Sequence, residues 1–182
     1  LAAYEIESYQ TDHASGEKSK LPSDKLTEPD NAAVLNSFKS ATQAYRMISY
    51  LSRLNYDYDD RYYIAGSYRR DGSSRLSPNN RWGNFWSLGT SWRVDREEFM
   101  ASTSDWLSAL TLKMSYGAQG NDNLGTYYAS KGLYSIVSNL GENALVSDRM
   151  ATPNLKWETN LNFNLGMDFS LFNNRFSGSF DF

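Results

Sequence analysis

Three stretches between Tyr45 and Val94 alternate between apolar and polar residues. In the first, Ile48, Tyr50, Leu54, Tyr56 and Tyr58 share one parity, opposite Ser49, Arg53, Asn55 and Asp57, with Leu51 the single exception. In the second, Tyr62, Ile64, Gly66 and Tyr68 oppose Ala65, Ser67, Arg69 and Asp71. In the third, Trp82, Trp86, Leu88, Trp92 and Val94 oppose Gly83, Ser87, Gly89, Ser91 and Arg93. A period of two belongs to a β-strand, whose successive side chains leave opposite faces. Each stretch reaches the roughly 9–11 residues that a tilted strand needs to cross a bilayer, and exceeds the roughly 5–6 usual in globular sheets. Aromatic residues gather at the ends of the stretches, at Tyr56, Tyr58, Tyr62, Trp82 and Trp92, where the girdles of a membrane barrel would lie.

The same pattern recurs outside this region. Leu1–Tyr9 reads as a short strand, followed by a polar stretch over Thr11–Ala41 that predicts a long loop with a short helix near Ala32–Phe38. The Asp59–Asp60 turn and the loop from Asp71 to Arg81, with Gly72, Pro78, Asn79 and Asn80, join the three central stretches. Between Asp95 and Leu107 the alternation stops. Asp95 and Glu98 have capping-box spacing, which predicts a short helix in a connection. Leu110, Leu112, Met114 and Tyr116 then mark another strand, and Gln119–Pro153 a second long loop. Trp157, Thr159, Leu161, Phe163, Leu165, Met167 and Phe169 alternate with Glu158, Asn160, Asn162, Asn164 and Asp168, in the clearest strand of the chain. An Asn173–Asn174 turn leads to a last strand carrying Phe176, Phe180 and Phe182. The prediction is seven strands with long and short connections in strict alternation. This is the habit of outer-membrane barrels, with long loops outside the cell and short periplasmic turns.

Composition narrows the reading. The 182 residues include no cysteine, so there is no disulfide framework and no thiolate metal site. His13 is the only histidine, which leaves no partner for a transition-metal site. A net charge of -3 argues against a nucleic-acid binder. Mean hydropathy is -0.62, and no apolar run approaches the ~20 residues of a membrane helix. Neither fact opposes a barrel, in which only alternate strand residues are apolar. The chain opens at Leu1 and stops at Phe182 inside an alternating run, so it reads as an internal piece of a longer protein.

Several segments resemble the SusC/RagA family of TonB-dependent outer-membrane transporters of Bacteroidetes. They are Tyr68-Arg69-Arg70-Asp71-Gly72-Ser73-Ser74-Arg75 with Pro78-Asn79-Asn80-Arg81-Trp82-Gly83, and Ser91-Trp92-Arg93 with Glu97-Glu98-Phe99-Met100. Trp106-Leu107 with Leu110-Thr111-Leu112-Lys113 and Ser115-Tyr116-Gly117, Pro153-Asn154-Leu155-Lys156-Trp157-Glu158-Thr159, and Leu171-Phe172-Asn173-Asn174-Arg175 complete the set. The resemblance covers about residues 45–182. Leu76, Gln119 and Thr152 depart from the family pattern, and such loop differences prevent assignment of a substrate.

The resemblance implies an all-β fold in which residues 1–182 form part of a large antiparallel transmembrane barrel of about 22 strands, without its plug domain or TonB box. It implies uptake of glycan or peptide oligomers with a SusD-like surface lipoprotein and with TonB acting through a part not present here. A dimer of transporter–lipoprotein pairs, outer-membrane lipid as surroundings, no cofactor and no catalysis complete the expectation. Two other readings stay open on the residues alone: a soluble secreted β-sandwich that binds glycans, and a non-importing outer-membrane barrel.

Residues expected to face lipid are Ile48, Tyr50, Leu54, Ile64, Tyr68, Trp86, Leu88, Leu112, Leu161, Phe163 and Leu165. Candidates for a ligand path are Arg69, Glu158, Asn160, Asn162, Tyr127, Tyr128 and Tyr134. Each has a plainer alternative. Arg69, with Arg70, Asp71 and Arg75, is either an anion site or a self-paired strand end. The Glu158–Asn162 row lines a path or hydrogen-bonds a plug, and the tyrosines stack on a sugar or pack within their own loop. The adjacent carboxylates Asp59–Asp60 and Glu97–Glu98 belong to a turn and a helix start rather than to acid–base chemistry.

Overall fold

The computed structural model describes residues 1–182. Nine strands form: β1 (Ala2–Ser19), β2 (Val34–Tyr58), β3 (Tyr62–Ser73), β4 (Trp82–Arg93), β5 (Leu107–Asn121), β6 (Leu133–Asn139), β7 (Glu142–Arg149), β8 (Glu158–Leu171) and β9 (Phe176–Asp181). Seven make one antiparallel sheet in the order β1-β2-β3-β4-β5-β8-β9, and β6-β7 form a separate hairpin. The sheet is a single layer curled into part of a barrel wall. A sandwich needs a second sheet facing the first; the structure has none, and only 11 of 182 residues are buried. The soluble-sandwich reading is thereby set aside.

Register carries the sequence alternation across the sheet. Leu54, Gly66, Leu88, Tyr116 and Phe163 stand in one row over five strands. One residue along, Arg53, Ser67, Ser87, Gly117 and Asn162 make the row on the other face. Aromatic pairs fasten neighbouring strands on the apolar face: Tyr4 on Tyr50 at 5.2 Å, Tyr62 on Trp92 at 6.4 Å, Trp86 on Tyr116 at 5.5 Å. Such cross-strand pairs stabilise a sheet by up to about 1 kcal/mol each.

The structure corrects the expected elements in three places. The loop expected over Thr11–Ala41 is mostly strand, since β1 runs to Ser19 and β2 starts at Val34. The helix expected near Ala32–Phe38 is therefore absent; a single 3-10 turn at Pro29–Asn31 precedes β2. Residues Val34–Arg46 pair with β1 but not with β3, whose ladder to β2 begins at Met47 and Ser73. They form a two-stranded ribbon projecting past the rest of the sheet. Polar residues fall on both its faces, with only scattered apolar ones such as Leu35 and Phe38, so the apolar–polar signature vanishes while the strand continues. Secondly, the polar Gln119–Pro153 stretch is no plain loop: it holds the β6–β7 hairpin, which turns at Leu140 and Gly141 with φ of 53° and 87°.

Thirdly, the connection after β4 is two 3-10 turns, Val94–Arg96 and Glu98–Thr103, with no side-chain cap at either. The Asp95–Glu98 capping box does not form because Asp95 is engaged elsewhere. Its carboxylate accepts from Arg93 Nη2 at 2.7 Å and from the Leu110 N–H at 3.0 Å. The expected turns are present. Asp59 and Asp60 both adopt left-handed φ, as Asp tolerates in a tight hairpin, and Phe172, Asn173 and Asn174 do so at the other.

Glu97 closes the same connection, accepting from Trp92 Nε1 at 2.9 Å and from the Tyr62 hydroxyl. Burial alone would raise the Asp95 carboxyl, but Arg93 and the Leu110 N–H outweigh it and hold the group below its usual value. The hydrogen bonds from Tyr62 and Trp92 lower Glu97 in the same way. A depressed carboxyl contributes stability above its unfolded value and loses it as pH falls through the folded one. The connection should therefore hold from about pH 5 upward and loosen below about pH 4, where ordinary carboxyls begin to protonate. Hydrogen exchange over residues 94–110, corrected for the intrinsic rate, should show protection falling in that acid range. Asp95→Asn should show reduced protection already at neutral pH.

Candidate functional site

The polar face of the sheet borders an open space. At the end carrying the short connections, a hollow of about 680 Å³ is bordered by Arg53, Asn55, Asp57, Lys113, Asn164 and Asp181. Its floor is kept low by Ala65, Gly89 and Gly166. Lys113 pairs with Asp168 across β5 and β8, and Asn164 Nδ2 donates to Ser115 Oγ at 3.1 Å.

Towards the long loops the face closes over itself. Arg69 Nε donates to both oxygens of Asp71 at 2.6 and 2.7 Å, while its Nη2 reaches Ser49 Oγ at 2.9 Å and Glu5 Oε2 at 3.3 Å. Asp71 is 6% exposed, so the pair sits within packed surroundings and has its hydrogen bonds satisfied there. One strand-end higher, Ser73 Oγ donates to Asp122 at 2.6 Å and Arg75 pairs with the same carboxylate at 3.3 Å. The Arg75 guanidinium lies 3.9 Å from the Tyr45 ring centroid and 4.9 Å from that of Tyr127. Tyr45 also donates to Glu7. These contacts bind the loop after β5 to the β1–β2 ribbon.

A wedge fills the space where β4 and β5 separate. Their ladder stops at Trp86 and Ala118, although β4 begins at Trp82 and β5 runs to Asn121. The Phe85 ring occupies the gap, edge-on to Trp157 at 5.1 Å, and Trp157 Nε1 donates to the Arg81 carbonyl at 2.8 Å. Glycine at two positions makes room: a Cβ at Gly83 or Gly120 would stand 2.4 or 2.0 Å from Phe85 Cζ.

The candidate residues fall into separate groups. Arg69 belongs to the inner network with Asp71 and Glu5. Glu158 accepts from Asn121 Nδ2 at 3.0 Å, Asn160 stands opposite Gln119, and Asn162 opposite Gly117. Tyr127 packs on Tyr45 at 5.0 Å and on Tyr9 at 6.1 Å. The Tyr128 hydroxyl accepts from the Ala44 N–H at 3.1 Å. Tyr134 is 68% exposed on the β6–β7 hairpin, away from the other two. Phe85, Asp122, Tyr45 and the Lys113–Asp168 pair were not singled out by the sequence. For Lys113 and Asp168 a signal exists, opposite charges at polar-face positions of two strong strands, but which strands adjoin is known only from the fold. The face as a whole offers charged and amide groups for hydrogen bonding over a broad, open surface.

Of the eleven residues expected to face lipid, all lie on the opposite face from these groups, and all but Ile48 are exposed.

A family model described as TonB dependent receptor-like, beta-barrel matches residues 6–182. The chain is 32% identical over 176 residues to the TonB-dependent receptor SusC of Bacteroides thetaiotaomicron, covering 93% of this chain and 17% of SusC. It is 30% identical over 188 residues to the TonB-dependent receptor P39 of Formosa agariphila, covering 100% of this chain and 18% of P39. Among solved structures, the RagAB peptide transporter superposes with a TM-score of 0.87 at 32% identity, over 100% of this chain and 20% of that one. The chain thus spans about a fifth or less of the length of these relatives.

The Phe85 wedge yields a test by double substitution. Gly120→Ala should destabilise the intact barrel by about 1–3 kcal/mol, the usual effect of overpacking. Adding Phe85→Ala should recover part of that loss, read as the temperature at which the folded band disappears in heat-modifiability electrophoresis. Strictly additive losses would show that the ring does not fill this gap.

Proposed function

Because the chain belongs to the TonB-dependent receptor β-barrel family, we propose that it forms wall and loops of an outer-membrane importer for glycan or peptide oligomers. The observation that carries this reading is the division of one curled sheet into two chemically opposite faces. The exposed face bears Leu54, Ile64, Leu88, Leu161, Phe163 and Leu165, each large, apolar and without cover from the rest of the chain. Facing lipid, such a surface needs no partner sheet, and a Lys or Arg placed there near the midplane costs about 2–4 kcal/mol. The other face is polar and lines a broad hollow, as suits a lumen filled by water or a plug.

In this reading Arg69, Glu158, Asn160 and Asn162 contribute to the inner wall of the path or to contacts with a plug. Tyr127 and Tyr128 serve as braces of the loop, because their rings and hydroxyl are spent on Tyr9, Tyr45 and Ala44. Tyr134 remains free for a ligand or partner. A surface lipoprotein of the SusD type would lid the barrel and trap the oligomer. Force transmitted by TonB would then rearrange a plug that lies outside this segment. The RagAB relative, whose name describes a peptide transporter, supports an oligomeric cargo, and SusC, named a TonB-dependent receptor, supports TonB as the source of force. The segment supplies no catalysis; its part is to hold the wall and present the loops.

The test is recovery of the intact protein from native outer membranes through a tag in the β6–β7 hairpin tip. The expected result is a protein several times heavier than 20.7 kDa, accompanied by a surface lipoprotein and supporting uptake of a labelled oligomer only while TonB is present. Uptake indifferent to loss of TonB would contradict the importer reading.

A further inference from the structure

The outer face carries a second chemistry around its upper aromatic rim. Adjacent arginines on β3 behave in opposite ways. Arg69 points to the inner face and is paired with Asp71 and Glu5. Arg70 points outward, has no carboxylate partner, and lies 5.1 Å from the Trp82 ring centroid. Arg46 and Arg81 are likewise exposed and without an ion pair. By contrast Arg75 and Arg93, like Arg69, each hold an acid.

Arg46 and Arg81 flank a hollow of about 390 Å³ whose lining includes Gly72, Ser74 and Trp82 and contains no carboxylate. The backbones that carry these arginines are fixed. The Arg46 N–H donates to Ser74 Oγ at 2.9 Å and its carbonyl accepts from the Ser74 N–H at 3.0 Å. The Arg81 carbonyl accepts from Trp157 Nε1 at 2.8 Å and from the Ser73 N–H at 3.1 Å. Gly72 lets the Trp82 ring lie flat against β3, since a Cβ there would stand 2.9 Å from the ring. Tyr50 stacks on the same indole at 6.1 Å.

The height of this cluster says what it meets. Trp92 marks the lower aromatic rim and Trp82 the upper, ten residues apart on β4. Ten residues advance about 33 Å along a strand, or about 25 Å along the normal at a tilt of roughly 40°, which is the height of a barrel's apolar band. Arg46 and Arg81 therefore sit at the level of the outer-leaflet head groups, and Arg70, whose backbone pairs with Asn84 just below the rim, reaches the same level with its guanidinium beside Trp82. We propose that Arg46, Arg70 and Arg81, with the hollow beside Trp82, bind the phosphorylated head group of an outer-leaflet glycolipid. Arginine forks match phosphate oxygens, and the indole and Tyr50 ring support the sugar–acyl boundary below. The proposal rests on the reading of this face as lipid-facing.

The intact protein, reconstituted in nanodiscs, would be titrated with phosphorylated lipid A and with the same lipid after removal of its phosphates. The wild-type protein should retain the phosphorylated form selectively. The triple variant Arg46→Gln, Arg70→Gln, Arg81→Gln should bind it roughly a hundredfold more weakly, at about fivefold per basic residue near a charged lipid surface. Arg53→Gln, on the inner face, should stay within about twofold of wild type. Equal retention of the two lipids by the wild-type protein, or unchanged retention by the triple variant, would overturn the proposal. Full displacement of the lipid by an equal concentration of inorganic phosphate would overturn the lipid as occupant. Failure of the wild-type protein to insert into a bilayer would instead remove the lipid-facing reading, and this proposal with it.

Discussion

In hydrocarbon a backbone N–H or C=O has no water to bond, and each one left unpaired costs several kcal/mol. That constraint organises this chain. Inside the sheet the ladders between neighbouring strands meet it over most of their length, apart from a register shift at Leu107–Ala109 and the parting of β4 and β5 beyond Trp86 and Ala118. The outer edges of β1 and β9 do not meet it by themselves. Further strands must pair with them, which agrees with a chain spanning about a fifth of its relatives. The sheet is thus an arc of wall whose stability belongs to the closed barrel, not to a core of its own.

Once the ladders are fixed, register forces every side chain onto one face or the other, and the two faces face different solvents. Polar groups on the inner side pair locally around an open hollow, as Arg53 does with Asn55 and Lys113 with Asp168. Above the bilayer the constraint changes. The β1–β2 ribbon has only two strands, and an isolated hairpin is marginal in water. It is held by side chains: Tyr127 on Tyr9 and Tyr45, Arg75 between the rings, and Tyr128 on the Ala44 N–H. The wall needs no such braces, whereas the loops depend on them.

The same physics explains what could be read from the sequence. Where one face meets lipid, alternation is enforced, and the central stretches, the strand around Leu161 and Phe163, and both tight turns were legible residue by residue. Where both faces meet water, nothing enforces it; Thr11–Ser19 and Val34–Ala41 form strands that look like a loop. The Asp95 connection misled for a different reason. Its acid has capping spacing, but Arg93 and the Leu110 N–H compete for it, and Leu110 arrives only through the fold. The inner contacts were least legible. Arg69 was visible as a candidate, but its partner Glu5 lies 64 residues away on β1, and Phe85 gained meaning only when β4 and β5 were seen to part.

The central claim is that alternate residues of these strands meet lipid and water. It is tested most directly by placing a nitroxide at each position from Leu161 to Leu165 in the intact membrane-embedded protein. The account predicts that Leu161, Phe163 and Leu165 positions collide mainly with dissolved oxygen, which concentrates in lipid, while Asn162 and Asn164 positions collide mainly with a water-soluble nickel chelate. Uniform accessibility along the five positions, or alternation of the opposite phase, would contradict it.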